Sequence, residues 1–382
     1  MSSPDIAGTV FDEIQQRTFG VENPDAVDPD EILISADSHV MEPELLWKRE
    51  VPAKYRDRAP AFGGGRPDDL LNPAAVDKTV RVSEMARGNI SAEVIFPTWG
   101  LKLLSLDDPE IEEVCVRVYN DWIIDYCAEN PDRLLGLAVI SCYDIDRAVA
   151  ELVRCRDAGL RGFTIWQCPP DVLSFATDHY DRLWAAAQEM RMPVNLHINT
   201  GHGYTKHPEK MKGSHQTAMK LHQALNAIHD LIYSGALERF PELKIVTAEN
   251  EIGWIPWVLE QWDFTLAKGR AGSRIGPSSD RFYRAESAMK MKASDYDHRQ
   301  VHATFFNDSV GGRVLSWWGA DNCMWSSDFP HGDSTWPHSP ELVARDLGHL
   351  PSETRRKVVC DNVAKLYDFT IPAHIKTVMA TT

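Results

Sequence analysis

The seven cysteines, at 115, 127, 142, 155, 168, 323 and 360, include no Cys-x-x-Cys pair. That spacing excludes a disulfide framework and a zinc ribbon, and predicts buried thiols. No run of about 18 apolar residues is present, as a membrane-spanning helix would need. The opening MSSPDIAGTVFDEIQQ has no basic segment followed by an apolar one, so a cytoplasmic protein is expected. Positive charge is scarce: 40 Lys and Arg against 56 Asp and Glu leave a net charge of −16. Nucleic acid and anionic membrane surfaces both select a basic footprint, so neither is an expected partner. Nucleotide-binding glycine patterns are missing as well. The GGG at 63–65 lies in a polar loop with no Lys-Ser/Thr behind it, and reads as flexible backbone. What the chain does have is 43% apolar residues, enough for a large core and a small-molecule site.

Short apolar runs rich in β-branched residues recur at 32–38, 93–97, 134–140, 162–166, 193–198, 244–248, 301–306 and 323–328. Segments of helical period fall between most of them, at 109–129, 145–158, 178–191, 218–239 and 252–267. Asp107-Asp108-Pro109 and Asp144 signal helix starts, while Gly159 and Asn130-Pro131 signal stops. Eight hydrophobic strands alternating with helices predict a parallel sheet closed into a (β/α)8 TIM barrel, with an open doubly wound sheet as the alternative. The expected layout is an N-terminal arm over 1–30, one barrel domain over 31–372 and a C-terminal tail over 373–382. Long insertions at 40–91 and 264–300 interrupt the barrel; such loops are lids, partner arms or solvated excursions.

Active sites of such barrels form at the C-terminal ends of the strands. Asp37 and His39, two residues apart on the first strand, share a face there. His197 ends the fifth strand, Glu249 the sixth and Asp328 the eighth. A lone strand-end His is most often structural, and Glu249-Asn250-Glu251 could serve a helix N-terminus. Five polar groups arriving at one rim instead point to a metal. Imidazole with carboxylate suits zinc, manganese or iron better than an all-oxygen set would. His331, three residues past Asp328, is a further ligand, a substrate contact or a loop anchor. Trp99, Gly100 and Trp166 are candidates for a pocket wall, and His202 and His207 for substrate contacts. Arg49 and Arg56 could bind a carboxylate, though exposure is their default. Trp254 and Trp257, at i and i+3, read as core, and His222 and His229 as ordinary helix residues.

The segments ADSHVMEPELLW at 36–47, AEVIFPT at 92–98, NPDRLLGLAVI at 130–140, NLHI at 195–198, LERFPELKIVTAENEIGWIPWVLEQWD at 237–263 and MWSSDFPHGDSTWP at 324–337 resemble the amidohydrolase-related family. This is the branch of the amidohydrolase superfamily that includes aminocarboxymuconate-semialdehyde decarboxylase. The resemblance spans roughly 31 to 370. It implies a (β/α)8 barrel holding a divalent metal through Asp37, His39, His197 and Asp328. The better-known decarboxylases of the branch carry a His where this chain has Glu249.

The resemblance and the residues together lead to a metal-dependent enzyme performing hydrolysis or non-oxidative decarboxylation of a small carboxylated or cyclic compound. Asp328 is the proton-transfer residue in either case, with His331 as its catalytic companion. One or two ions are compatible with the spacing. Two ions bridged by Glu249 would match a second reading, a dinuclear non-haem iron or manganese oxygenase, of which the family holds a minority. A catalytically silent subunit is the third reading, and its signature, lost ligands, is missing here. A homo-oligomer, or pairing with a homologue, is the expected assembly.

Overall fold

The computed structural model describes residues 31–62, 72–202, 215–270, 289–332 and 334–371. The arm over 1–30, the tail over 373–382, Gly63–Gly65, His207 and residues 271–288 of the 264–300 insertion lie outside the described residues.

Eight parallel strands follow one another in chain order around the sheet. They are β1 (Leu33–Val40), β2 (Ile90–Pro97), β3 (Leu134–Val139), β4 (Gly162–Ile165), β5 (Val194–His197), β6 (Ile245–Ala248), β7 (Val301–Phe305) and β8 (Cys323–Trp325). Each apolar run named above contains or overlaps one of them, and all but β7 are buried along their whole length. The helices are α1 (Leu46–Glu50), α2 (Lys78–Arg87), α3 (Pro109–Cys127), α4 (Ile145–Asp157), α5 (Asp181–Met190), α6 (His215–Tyr233) and α7 (Ala236–Arg239). They continue with α8 (Ile255–Arg270), α9 (Ala293–Gln300), α10 (Ser309–Trp318), α11 (Ser339–Leu347), α12 (Ser352–Arg356) and α13 (Asn362–Leu366).

Side-chain caps start two helices where the sequence signalled them. The Asp108 carboxylate accepts from Ile111 N at 3.3 Å to open α3. Asp144 accepts from Asp146 N and Arg147 N at 3.0 and 3.2 Å to open α4, satisfying amides that have no partner inside the helix. Two expectations are corrected. The helix expected over 218–239 is two helices, because Gly235 takes a left-handed backbone (φ 77°) between α6 and α7. Trp257 is not core: it is 64% exposed. The buried stripe of α8 is Ile255, Val258, Leu259 and Leu266, and Trp257 lies two residues, about 200° of helical rotation, from Ile255.

Closure of the barrel is made just beyond β8. Asp328 N donates to Asp37 O at 2.9 Å, and His39 N donates to Phe329 O at 2.6 Å. A register step on β1 prepares this seam. Ser35 pairs with Glu93 but Ser38 with Ile95, so Ala36 and Asp37 together oppose the single residue Val94. Such a bulge bends a strand and re-aims its side chains.

Behind the seam, fully buried Arg81 of α2 donates from Nε to Glu93 Oε2 at 2.7 Å. Its Nη1 donates to His39 O at 2.7 Å and to Ala74 O at 3.2 Å. The 40–91 insertion is therefore tied to the barrel wall by a buried ion pair. Removing one partner strands the other charge, so Arg81→Ala is expected to cost about 3–5 kcal/mol in urea or thermal unfolding. A loss below about 1 kcal/mol, the range of an exposed pair, would show that the pair does not hold the wall.

Candidate metal centre

The C-terminal mouth of the barrel gathers all six expected residues. His39 Nε2 lies 3.4 Å from Asp37 Oδ1 and 3.3 Å from Asp328 Oδ1. His197 Nε2 lies 3.3 Å from His39 Nε2, 3.6 Å from Glu249 Oε2 and 3.8 Å from Asp37 Oδ1. His331 Nδ1 lies 3.0 Å from Asp328 Oδ1. Asp37, His39, His197 and Asp328 are buried, whereas the side chains of Glu249 and His331 keep 13% and 27% exposure. The last two therefore face the opening.

The tautomers follow from backbone carbonyls, which can only accept. His39 Nδ1 is 2.8 Å from Pro97 O, and His197 Nδ1 is 2.7 Å from Ile198 O. Each ring proton therefore sits on Nδ1, and each Nε2 turns a lone pair inward. Burial pushes the pKa of His39 well below the ordinary value and that of His197 down to about 4, so both rings are neutral near pH 7. Two imidazole lone pairs and three carboxylates thus converge with no proton to share between the rings. A divalent cation fits this donor set, and in each ring the Nδ1–H bond to a carbonyl fixes the tautomer and the orientation that a metal-bound histidine needs.

Two groups of atoms are close enough to hold an ion, each within 4.8 Å of one another: Asp37, His39 and His197, and His39, Glu249, Asp328 and His331. They share His39, whose single inward nitrogen serves one ion.

The backbone pays for this placement. Glu249 and Asp328 sit at φ 58° and 55°, as do Asn199 and Glu251 nearby at 66° and 59°. Left-handed backbone at a non-glycine residue costs on the order of 1–3 kcal/mol and concentrates at functional sites. The loop after β6 is held there by Asp308, whose carboxylate accepts from Ile252 N at 2.9 Å, Gly253 N at 2.7 Å and Gly311 N at 2.7 Å.

Several supporting residues escaped the sequence reading. Thr304 of β7 accepts from Glu249 N at 2.9 Å and donates to Asp37 Oδ2 at 3.3 Å, linking two carboxylate-bearing strands. Thr98, just past β2, lies 3.2 Å from His331 Nε2 through its hydroxyl. Both stand near strand ends, but threonine is an ordinary strand residue and nothing in the sequence marks them. Ser35, Ser38 and Ser327 form a hydroxyl cluster behind the seam.

Other candidates fall elsewhere. Trp166 is fully buried, donating to Tyr180 OH at 2.8 Å. His202 is held at the rim by Tyr143 OH at 3.1 Å and Asp107 at 3.4 Å. Trp99 is half-buried, while Gly100 is buried and donates its N–H to Glu42. Arg49 and Arg56 are exposed, as is His222. The His229 ring stacks on Tyr233. Six cysteines are buried, and Cys168 is half-buried.

If His197 supplies one of the nitrogens, His197→Ala is expected to lower metal content per chain several-fold, measured by elemental analysis. Stoichiometric metal in that variant would remove His197 from the ligand set.

The amidohydrolase family model matches residues 81–369. Gamma-resorcylate decarboxylase from Rhizobium sp. (strain MTP-10005) is 25% identical over 283 residues, covering 67% of this chain and 81% of that protein. The crystal structure of 2,6-dihydroxybenzoate decarboxylase from Rhizobium superposes with a TM-score of 0.66 at 20% identity, covering 88% of this chain and 99% of that one. The 5-carboxyvanillate decarboxylase from Novosphingobium aromaticivorans, complexed with manganese and 4-hydroxy-3-methoxy-5-nitrobenzoic acid, gives 0.69 at 15% identity over 91% and 100%. At those identities the solved structures bear on the fold, a (β/α)8 barrel. By the family match the chain belongs to the amidohydrolase superfamily, on the branch that holds the decarboxylases, and is an enzyme of the metal-dependent hydrolase or carboxy-lyase kind.

Proposed function

We propose that this enzyme removes CO₂ without oxidation from a small hydroxylated aromatic carboxylic acid, using one divalent ion held by Asp37, His39, His197 and Asp328. The observation that carries the reading is the Asp328–His331 pair. A buried carboxylate stands 3.0 Å from a ring nitrogen whose side chain is 27% exposed, giving a proton a path from the opening to the ligand cluster. The decarboxylase names of the relatives supply the substrate class. Manganese in a solved neighbour makes it the first metal to try.

A bound ion would hold the substrate carboxylate and stabilise a neighbouring hydroxyl as its anion, which feeds electron density to the ring carbon that takes the proton. Asp328 delivers a proton to the ring carbon that bears the carboxylate. The C–C bond then breaks, its electron pair restores the ring, and CO₂ leaves. His331, steadied by Thr98, returns a proton to Asp328. Asp37 and the two imidazoles hold their places through Thr304, Pro97 and Ile198.

Glu249 favours a second reading. With Asp37 and Asp328 it brings three negative charges to one divalent ion, and an incoming carboxylate adds another. A neutral lactone or cyclic amide would avoid that repulsion, with Asp328 taking a proton from water instead of giving one to carbon. The oxygenase reading gains nothing from the relatives. The silent-subunit reading is at odds with an intact donor set. The division into arm, barrel domain and tail, and assembly into a homo-oligomer, complete the proposal. Trp257 and Phe264, 64% and 65% exposed and seven residues apart on α8, offer an apolar face for a second copy.

With manganese loaded, release of CO₂ from 2,6-dihydroxybenzoate or 5-carboxyvanillate is expected. Asp328→Asn should keep the circular dichroism of the parent and lose about 10²–10⁴-fold in turnover. Native turnover in that variant would deny Asp328 its role. Hydrolysis of lactones or cyclic amides without any CO₂ release would move the assignment to the second reading. A monomer mass in sedimentation would remove the homo-oligomer.

A further inference from the structure

A cavity of about 770 Å³ opens at the end of the barrel opposite the metal cluster. It is bounded by the residues that precede β5, β6 and β8, by the start of β7, and by α13. Catalytic groups of such barrels gather at the other end, so substrate chemistry does not account for it.

Its lining is cationic in a chain of net charge −16. Arg191, Lys244, Arg299, Lys357 and Lys365 face three acids, Glu242, Asp321 and Asp361. Two of those acids are engaged: Asp321 lies 3.0 Å from Lys357, and Asp361 lies 3.2 Å from Arg356, which does not line the cavity. Lys244 spends one N–H on Arg299 O at 2.7 Å. Among the described residues, neither Lys244 nor Lys365 forms an ion pair.

These charges crowd one another. Burial pulls the Lys244 pKa down, the neighbouring Glu242 carboxylate opposes the shift, and Lys365 and Arg299 add to it. Burial, with Lys244 and Lys365, pushes the His302 pKa down to about 3. His302 therefore stays neutral, and its buried Nδ1 has no hydrogen-bond partner among the described residues. Ammonium groups outside ion pairs and a guanidinium around one cavity, with the His302 ring in its wall, are the complement of a multiply charged anion.

We propose that this cavity is a binding site for a small anion carrying a phosphate group or two carboxylates, separate from the catalytic mouth, with Lys244 and Lys365 as its principal charges and His302 as a hydrogen-bonding group.

The test is isothermal titration of the metal-loaded enzyme with inorganic phosphate and, separately, succinate, at ionic strength held constant with NaCl. Saturable binding of either probe is expected, weakened at least tenfold in Lys244→Met and in Lys365→Ala, and still present in His197→Ala, the variant expected to hold less metal. The probe that binds tells whether phosphate or dicarboxylate chemistry is read. Lys365 is exposed, so its truncation leaves a folded protein and keeps the test decisive should Lys244→Met unfold. Binding unaffected by the folded lysine variants, binding that disappears with His197→Ala, or no saturable binding of either probe would overturn the proposal.

Discussion

Two backbone hydrogen bonds, Asp328 N to Asp37 O and His39 N to Phe329 O, hold the barrel closed and hold the metal cluster together at once. The residues that complete the wall are the residues that carry the donor atoms, so the cluster cannot loosen without opening the seam. The bulge at Ala36–Asp37 makes this possible by turning a carbonyl of β1 toward the segment leaving β8. Arg81 then braces the same strand from behind by donating from its guanidinium to the His39 carbonyl. Stability and chemistry here draw on one set of bonds.

The charge balance of the mouth is equally constrained. Both imidazoles give their protons to carbonyls, which fixes them as lone-pair donors and leaves the compensation of three carboxylates to a cation. Glu249 brings a third carboxylate to the mouth beside Asp37 and Asp328. Its side chain is partly open to the mouth and 3.6 Å from His197, close enough for its charge to be felt by anything bound there. The shared use of His39 by the two possible donor groups makes the ions compete for one nitrogen, unless the second is content with Glu249, Asp328 and His331.

Much of this was legible in the chain because strands covered on both faces read as unbroken apolar runs, so a polar residue at such a run's end stands out. Asp37, His39, His197, Glu249 and Asp328 were found that way. Thr304 and Thr98 were not, because threonine is a normal strand residue and carries no signal of its own. Glu93, which opens the run at 93–97, was not singled out either. Its partner Arg81 could not be read, since nothing in the spacing says that α2 folds back over β1 and β2. Trp257 misled because a pair at i and i+3 does not say which face of the helix is buried; the full stripe from Ile255 to Leu266 does. The break at Gly235 needed only one left-handed residue in a segment of otherwise continuous helical period.

The positive φ angles at Glu249 and Asp328 have a consequence for anyone who would improve this protein by selection. Glycine is the residue best suited to that backbone, so a screen that ranks variants by melting temperature alone would reward glycine at the two positions that furnish carboxylates. The winners would be sturdier barrels with an emptied mouth. Only a selection that also demands retained metal would keep the molecule's costly residues in place.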